Sequence, residues 1–188
     1  MLLVGVGAWL IGQQLGSSSG SRHVSPAQAT QASTPSDLVA FQDPGGAFAG
    51  SYPSSWQRLQ STDPQVVVLA AGGDGSSFQV RKTPIGTQVT AANLGAARKL
   101  TDGVVRSGKS VTLLRQPQQV TLGGLPGYLY LYTFDDPASG QRGAHAHYFL
   151  FAGTTMITLV FQVLPADRIA SVAPLFDRIA STFRAQPA

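Results

Sequence analysis

One stretch in the second half of the chain is apolar on both of its faces, and it limits the folds that the chain can adopt. Residues 128–132 read Y-L-Y-L-Y, so tyrosine and leucine alternate with the two-residue period of a β-strand. Residues 65–71, Q-V-V-V-L-A-A, have the pattern of a second buried strand. A sheet built from such strands is best covered on both sides. The sequence therefore predicts a sheet that lies between two other layers.

Tight turns divide the region after residue 37 into short strands. Residues 43–46 (D-P-G-G) and 72–75 (G-G-D-G) have the proline and glycine content of chain reversals. The second segment lacks the lysine and the following helix of a phosphate-binding loop, so it is predicted to be a hairpin turn. Because the connections are short, neighbouring strands are expected to be antiparallel. The predicted strands are 38–41, 47–52, 65–71, 77–83, 110–115, 119–122, 127–134, 143–151 and 155–164.

Two segments have apolar residues at spacings of three and four, which predicts two helices. Thr90 is a suitable N-cap for the first helix, which is expected to end near Ser107. Pro174 interrupts the second pattern, so we expect a kink or a helix that restarts near this proline. The predicted buried stripes are Asn93, Ala97, Leu100 and Val104 in the first helix, and Ile169, Val172, Phe176, Ile179 and Phe183 in the second. The predicted fold class is α+β, an antiparallel β-sheet sandwiched between helices.

The first 37 residues differ in composition from the rest. Residues 1–16 contain an apolar run that suits a signal sequence but is shorter than the roughly 20 residues that span a bilayer. Residues 17–37 are rich in Ser, Ala, Gln, Thr and Pro and lack an apolar period, which is typical of a flexible tether. We therefore predict an apolar signal or membrane anchor over 1–16, a disordered tether over 17–37 and a single α/β/α domain over 38–185.

The charges around the apolar run leave two modes of export open. No Lys or Arg precedes the run and Arg22 follows it, which under the positive-inside rule would keep the domain in the cytoplasm. We expect instead that a basic segment is encoded upstream of Met1. The reason is that an exported, tethered module usually has an apolar anchor, then a spacer, then a compact domain. Cleavage at A-Q-A, residues 27–29, is the alternative. The domain is predicted to be extracytoplasmic, either at the cell membrane or secreted.

Composition narrows the available chemistry. The chain has no cysteine, which excludes disulfides, zinc–thiolate sites, cysteine nucleophiles and a lipid-modified cysteine. Its net charge of +4 comes from 13 Lys and Arg against nine acidic residues, arranged as short pairs rather than runs. No basic stripe with interleaved aromatic residues occurs, so nucleic acid is not an expected partner. The charged helix faces are expected to be solvated.

Two histidines in the segment G-A-H-A-H-Y-F-L-F, residues 143–151, are the strongest candidates for a chemical site. At positions i and i+2 of a strand, His145 and His147 point to the same face. A metal ion commonly needs three or four ligands, and the nearest acids, Asp135 and Asp136, lie in an apparent turn. The sequence does not fix whether the tyrosines of the neighbouring strand lie opposite the histidines or opposite the alanines beside them.

No set of residues marks a catalytic centre. Residues 16–20, G-S-S-S-G, match the G-x-S-x-G pattern of serine hydrolases, but a Ser-rich tether follows them instead of a helix. General acid–base chemistry needs carboxylates at a fixed separation, whereas Asp135 and Asp136 are adjacent in the chain. The chain is therefore predicted not to be an enzyme, with no catalytic, cofactor-binding or metal-binding residue assigned and no cofactor expected.

Three segments resemble a known family. They are F-Q-D-P-G-G-A-F-A-G-S-Y-P-S-S-W at 41–56, G-G-L-P-G-Y-L-Y-L-Y-T-F at 123–134 and F-D-R-I-A-S-T-F at 176–183. With the intervening helix, their order over residues 38–185 resembles the PsbP-like α/β/α superfamily and, within it, small bacterial envelope proteins of the LpqN type. The resemblance implies a non-enzymatic scaffold, since family members act as accessory subunits, small-GTPase-binding factors or envelope lipoproteins. It transfers no site residue, and the acylated cysteine of the lipoproteins is missing.

Together these features predict a non-enzymatic extracytoplasmic binding or accessory module of a bacterial cell envelope, tethered or secreted. The expected partner is another envelope protein or envelope component, and membrane contact is expected through the N-terminal segment. The alternative is a weak metal-binding or hydrolytic protein that uses His145 and His147. The two hypotheses differ in whether both histidines and Asp135 meet in one concave pocket.

Overall fold

A computed structural model describes residues 38–186, so the predictions for residues 1–16 and 17–37 lie outside the described residues. No helix within the described range has the length and apolarity needed to cross a membrane. The helices are α1 (Leu94–Arg106) and α2 (Ile169–Ser181), each preceded by a 3-10 turn. The strands are β1 (Leu38–Gln42), β2 (Phe48–Pro53), β3 (Gln57–Arg58), β4 (Val66–Ala71), β5 (Ser76–Val89), β6 (Thr112–Leu113), β7 (Gln118–Leu122), β8 (Leu125–Asp135), β9 (Arg142–Val163) and β10 (Arg184–Ala185).

Seven strands form the main sheet, in the order β3-β4-β5-β9-β8-β6, and β7 also pairs with β8. All pairings in it are antiparallel, as the short connections predict. A smaller sheet of three strands has the order β1-β2-β10. The predicted strand 110–115 is reduced to the two residues of β6, which forms one end of the main sheet, whereas the predicted strand 77–83 continues to Val89.

Strand β9 folds back on itself near its centre. Its first part pairs with β8 and its second part with β5. His145 Nε2 lies 2.9 Å from Gln162 Oε1, although the two residues are 17 positions apart. A straight strand would separate them by about 55 Å at roughly 3.3 Å per residue. Gly153, with a φ of 61° that favours glycine, lies at the bend. The predicted strands 143–151 and 155–164 are therefore two halves of one bent element.

The two faces of the main sheet are covered by different layers, which confirms the α+β prediction. Helix α1 covers the side that we call the α1 face, and α2 together with the small sheet covers the opposite α2 face. The buried hydrophobic side chains of the α1 face are Val89, Leu94, Ala97, Val105, Tyr128, Tyr130, Tyr132, Phe134, Phe149, Phe151 and Met156. The largest on the α2 face are Phe41, Phe48, Tyr52, Trp56, Phe78, Tyr148, Phe161, Phe176 and Phe183.

The helices differ in detail from their predicted patterns. The buried residues of α1 are Leu94, Ala97, Thr101 and Val105, whereas the predicted stripe contained Asn93, Ala97, Leu100 and Val104. The stripe is displaced because the Thr101 hydroxyl lies 2.6 Å from the buried hydroxyl of Tyr130 and turns that side of the helix inward. Helix α2 continues through Pro174 and does not restart there. Proline removes only one backbone donor, and the apolar stripe of Val172 and Phe176 still packs on the sheet.

The register of β8 against β9 places the tyrosines opposite the histidines. Tyr132 pairs with His145 and Tyr130 pairs with His147. Side chains opposite each other in an antiparallel pair share a face, so these four side chains all lie on the α1 face. A Cβ atom at Gly127 would overlap the backbone carbonyl of Phe149, so glycine is required where β8 and β9 approach closely.

Candidate functional site

The two candidate histidines belong to a hydrogen-bonded network centred on Tyr132. The Tyr132 hydroxyl oxygen lies 2.9 Å from His145 Nδ1 and 3.1 Å from His147 Nδ1. The imidazole of His147 stacks on Phe149 at 3.9 Å between ring centroids, and His145 lies 4.1 Å from the Phe134 ring. Both imidazoles are therefore fixed in position and orientation by one hydroxyl and one aromatic neighbour each.

Gln162 sets the direction of the hydrogen bonds along this network. Its Oε1 atom can only accept, so His145 donates from Nε2 and, being neutral, accepts at Nδ1. The Tyr132 hydroxyl then donates to His145 and accepts from the Nδ1–H of His147. This order leaves His147 Nε2 as a buried acceptor, and it has no hydrogen-bond partner among the described residues.

Burial keeps both histidines neutral. It lowers the pKa of His145 to about 4, despite the opposing effects of the Gln162 hydrogen bond and of Asp136. The pKa of His147 lies well below its usual value because of burial and the neighbouring His145. Burial also raises the pKa of the Tyr132 hydroxyl, so the proton needed for the network stays in place. The network is thus uncharged near neutral pH.

The acids near the histidines in sequence are engaged elsewhere. Asp135 accepts from Arg142 Nη1 at 2.8 Å, and Arg142 also donates to the Ser110 carbonyl. Asp136 accepts from the backbone N–H and the hydroxyl of Ser139 in the β8–β9 turn. Within residues 38–186, no group of three His, Asp or Glu side chains is placed to hold a metal ion. The geometry favours a structural role for His145 and His147.

An open cavity of about 220 Å³ lies elsewhere on the α1 face, at the end of the sheet formed by β6. Neither histidine and neither Asp135 nor Asp136 lines it. Three of its wall residues are apolar and three are polar, and they come from α1, the following loop, β6 and β8. The lining residues are Asp102, Val105, Arg106, Val111, Leu113 and Tyr130.

A set of hydrogen bonds fixes the polar side of this cavity. The Tyr130 hydroxyl donates to Asp102 Oδ1 at 2.6 Å, and Arg98 Nε donates to the same oxygen at 3.1 Å. Burial and the bond to Asp102 raise the pKa of Tyr130 to about 12. The pKa of Asp102 is lowered, because the bonds from Tyr130 and Arg98 outweigh the opposing effect of burial. The cavity therefore has in its wall a carboxylate that is ionised near neutral pH.

The net charge of the chain comes from the segment that supplies five of the six residues lining this cavity. Residues 94–115 contain five of the 13 basic residues and one of the nine acidic residues, which gives them a net charge of +4. The whole chain also has a net charge of +4, so the remaining eight basic and eight acidic residues cancel. The five basic residues are Arg98, Lys99, Arg106, Lys109 and Arg115.

Sequence reasoning missed the cavity and its charge. The basic residues are arranged as short pairs along the chain, and the pairs on the first helix were expected to form a solvated face. Counting the charged residues of each predicted segment separately would have revealed the excess of positive charge over residues 94–115. The cavity itself gives no sequence signal, because Tyr130 reaches it from a strand distant in the chain.

Comparison with known proteins supports the fold on structural grounds alone. No protein-family model and no curated protein matches the sequence significantly. The solution structure of cyanobacterial PsbP from Synechocystis sp. PCC 6803 is similar, with a TM-score of 0.55 and 17% identity over 87% of this chain and 99% of that chain. LpqN of Mycobacterium tuberculosis, described as involved in cell envelope biogenesis, has a TM-score of 0.59 and 10% identity over 80% of this chain and 91% of that chain.

A eukaryotic protein shares the same architecture. The Ran-binding protein Mog1p of Saccharomyces cerevisiae is similar with a TM-score of 0.51 and 15% identity, over 79% of this chain and 95% of that chain. At such identities the likeness concerns the arrangement of the sheet and helices, and it transfers no site residue. The described part of the chain therefore has the fold of the PsbP-like α/β/α proteins.

Proposed function

We propose that the chain is a non-enzymatic binding or accessory module of a bacterial cell envelope, tethered or secreted, whose partner is another envelope protein or component. The observation that carries this proposal is the open cavity beside Leu113, which is 41% exposed on the terminal strand β6. The neighbouring Leu114 is 49% exposed. Exposed apolar groups beside a concave surface are typical of interaction sites.

The candidate histidines support the same proposal in a different way. A general base or a metal ligand needs a nitrogen that is available to substrate or ion. In His145 both ring nitrogens are engaged, and in His147 the remaining nitrogen is buried. The polar groups most suited to chemistry therefore stabilise the α1 face, and the accessible groups at β6 are suited to binding.

The structural neighbours support a binding role in general terms. LpqN is described as involved in cell envelope biogenesis and Mog1p as a Ran-binding protein. Neither description extends to this chain by likeness of fold, but both agree with an accessory module. The envelope location and the extracytoplasmic side follow from the predicted N-terminal anchor and remain part of the proposal.

Site-specific photo-crosslinking in intact cells tests the proposal. A photo-reactive amino acid replaces Leu113 in the full chain, and a matched variant carries it at Val39, which is 42% exposed on β1 of the small sheet. Crosslinked products are identified by mass spectrometry. We expect one dominant envelope protein or component at position 113 and none in common with position 39.

Two results would count against a binding module. One is the same weak set of crosslinks at both positions, which indicates random collisions. The other is the absence of any crosslink at position 113 when the protein is present and folded in the envelope. A cytoplasmic partner at position 113 would leave binding intact but contradict the proposed side of the membrane.

A further inference from the structure

The basic residues of the segment 94–115 offer positive charge to a partner. Arg98 forms an ion pair with Asp102. The other basic residues of the segment, Lys99, Arg106, Lys109 and Arg115, are exposed, and none of them forms an ion pair with a described residue. Arg106 contributes to the lowered pKa of Asp102, and Lys109 contributes to the lowered pKa of Asp135. These two cations therefore lie at the side of the molecule formed by α1 and β6.

Strand β6 has one edge that no described strand covers. It pairs with β8 alone and ends the strand order of the main sheet. The Leu114 N–H donates to the Leu131 carbonyl, and Leu113 lies opposite Tyr132. Because hydrogen-bonding pairs alternate along an antiparallel ladder, the backbone N–H and C=O of Leu113 point away from β8. An added strand could bond to both groups.

The cavity lies directly beside this edge and suits an apolar side chain. Val105, Val111 and Leu113 form its apolar wall, and Arg106 lies at the same surface. A strand added to β6 would direct alternate side chains toward the α1 face, where the cavity lies. Acidic side chains two positions before or after the apolar one would share its face and lie near Arg106 and Lys109.

The outer edge of β6 and the adjoining end of α1, with the cavity between them, form a surface that we call the α1–β6 edge. We propose that this edge binds an extended acidic segment of a partner protein, which adds a strand to β6 and inserts an apolar side chain into the cavity. This inference rests on the proposed function and names the chemistry of the partner at the same surface. Backbone hydrogen bonds to Leu113 align the partner segment with β6, and its apolar side chain leaves water for the cavity. Arg106 and Lys109 attract the acidic side chains of the segment.

Two other occupants fit the observations less well. An anionic membrane would be attracted by the cations, but lipid chains cannot bond to the outward N–H and C=O of Leu113. The chain's own residues 1–37 contain one acid, Asp37, against Arg22, so they offer no complementary negative charge. A partner segment rich in acidic residues satisfies all three features of the edge.

Binding of short synthetic peptides to the full chain tests the inference. The probe is a fluorescein-labelled peptide in which a central leucine has an aspartate two positions before and two positions after it, with threonine between them, and its counterpart replaces each aspartate with lysine. Fluorescence anisotropy measures affinity, and amide exchange of Leu113 measured by NMR reports strand addition. We expect binding of the acidic peptide only, slower exchange at Leu113, and weaker binding when ionic strength rises from about 0.1 M to about 1 M.

Charge-reversed variants locate the binding surface. In Arg106→Glu/Lys109→Glu we expect the affinity for the acidic peptide to fall by about tenfold or more, because attraction becomes repulsion. The control, Arg58→Glu/Arg184→Glu, changes the net charge equally at exposed positions outside the α1–β6 edge and should bind normally. Circular dichroism and melting temperature check that both variants fold.

Several outcomes would overturn the inference. They are equal binding of both peptides, equal loss in both double variants, unchanged exchange at Leu113, or salt-insensitive binding. Binding to phosphatidylglycerol vesicles that depends on Arg106 and Lys109, without peptide binding, would assign the surface to lipid. If crosslinking at position 113 still captures a protein through a neutral or basic segment, the inference fails and the proposed function stands; if it captures none, the proposed function fails.

Discussion

The two faces of the main sheet are packed by different kinds of interaction. On the α2 face, Phe161 stacks on Phe78 at 4.9 Å and on Phe176 at 5.1 Å between ring centroids. On the α1 face, large side chains carry polar atoms that need partners, and the Tyr130 hydroxyl contacts both Thr101 and Asp102. The α2 face is therefore held by apolar contact and the α1 face by directional hydrogen bonds as well.

This difference accounts for the position of the cavity. A helix and a small sheet close the α2 face, and their aromatic side chains fill the space between the layers. On the α1 face, α1 is held over β8 by hydrogen bonds between tyrosine hydroxyls and Leu94, Thr101 and Asp102. Beyond the last of these contacts the space toward β6 stays open. Stability is thus expected to depend most on the α2 face, and binding on the α1 face.

The largest effect on stability is expected from removing an aromatic ring on the α2 face. Phe161 is fully buried, and Phe161→Ala leaves a cavity between Phe78 and Phe176, so we expect a loss of about 3–5 kcal/mol in the free energy of unfolding. Chemical denaturation monitored by circular dichroism measures it. Phe161→Leu, which retains part of the volume, should lose less, and a loss below about 1 kcal/mol in the alanine variant would contradict apolar packing as the main support of this face.

Acidification should destabilise the protein through the α1 face. The histidine pKa is about 4 in folded His145 and about 6.5 when unperturbed, so the unfolded state binds more protons between these values. The free energy of unfolding should be constant above about pH 6.5 and fall below it, by up to about 1.4 kcal/mol per pH unit for each buried histidine. Denaturation between about pH 7 and pH 4.5 measures this slope.

A histidine variant separates this effect from other titrations. The lowered pKa values of Asp74 and Asp102 place their protonation below the window, so histidines dominate the slope within it. His147→Gln should show a shallower decline than the unmodified protein, whatever its stability at neutral pH. Parallel curves for the two proteins would show that His147 remains free to take up a proton in the folded state.

Removal of the Tyr132 hydroxyl tests how much the hydrogen-bonded network of the α1 face contributes to stability. Tyr132→Phe deprives both His145 Nδ1 and His147 Nδ1 of their partner, so we expect a loss of about 1–3 kcal/mol in the free energy of unfolding. Tyr128→Phe is the matched control, because its hydroxyl makes one bond of 3.2 Å to the Leu94 carbonyl. Thermal denaturation compares them, and equal losses would argue against a special role for the Tyr132 network.

The strands and helices could be predicted because each has a strong local pattern. The alternation of residues 128–132 indicated a strand buried on both faces, and both helices follow apolar residues at spacings of three and four. The buried side of α1 could not be predicted from apolarity alone, because Thr101 is turned inward by a hydroxyl on another element, Tyr130.

The site could be predicted only in part. The two histidines share a face, as alternation requires, but their register against β8 depends on the whole sheet and is invisible in the sequence. Their neutral state depends on burial, which follows only once α1 covers the face. The cavity at β6 joins residues 102–113 with Tyr130 and has no local signature, although the excess of positive charge over residues 94–115 was open to inspection.

The smallest effect on stability is expected at the position with the most exposed large apolar side chain. Leu114 is 49% exposed at the end of β6, so Leu114→Asp removes little buried surface, and we expect the free energy of unfolding to change by less than about 0.5 kcal/mol. Val39→Asp, on the small sheet, is the control with similar exposure. If the β6 edge is used for binding, Leu114→Asp should reduce crosslinking from position 113 because it brings a negative charge to an edge that attracts acidic segments, while Val39→Asp leaves it unchanged. A large loss of stability in Leu114→Asp would mean that this edge is buried by another part of the folded protein, and the contrast between a face for stability and a face for binding would no longer hold.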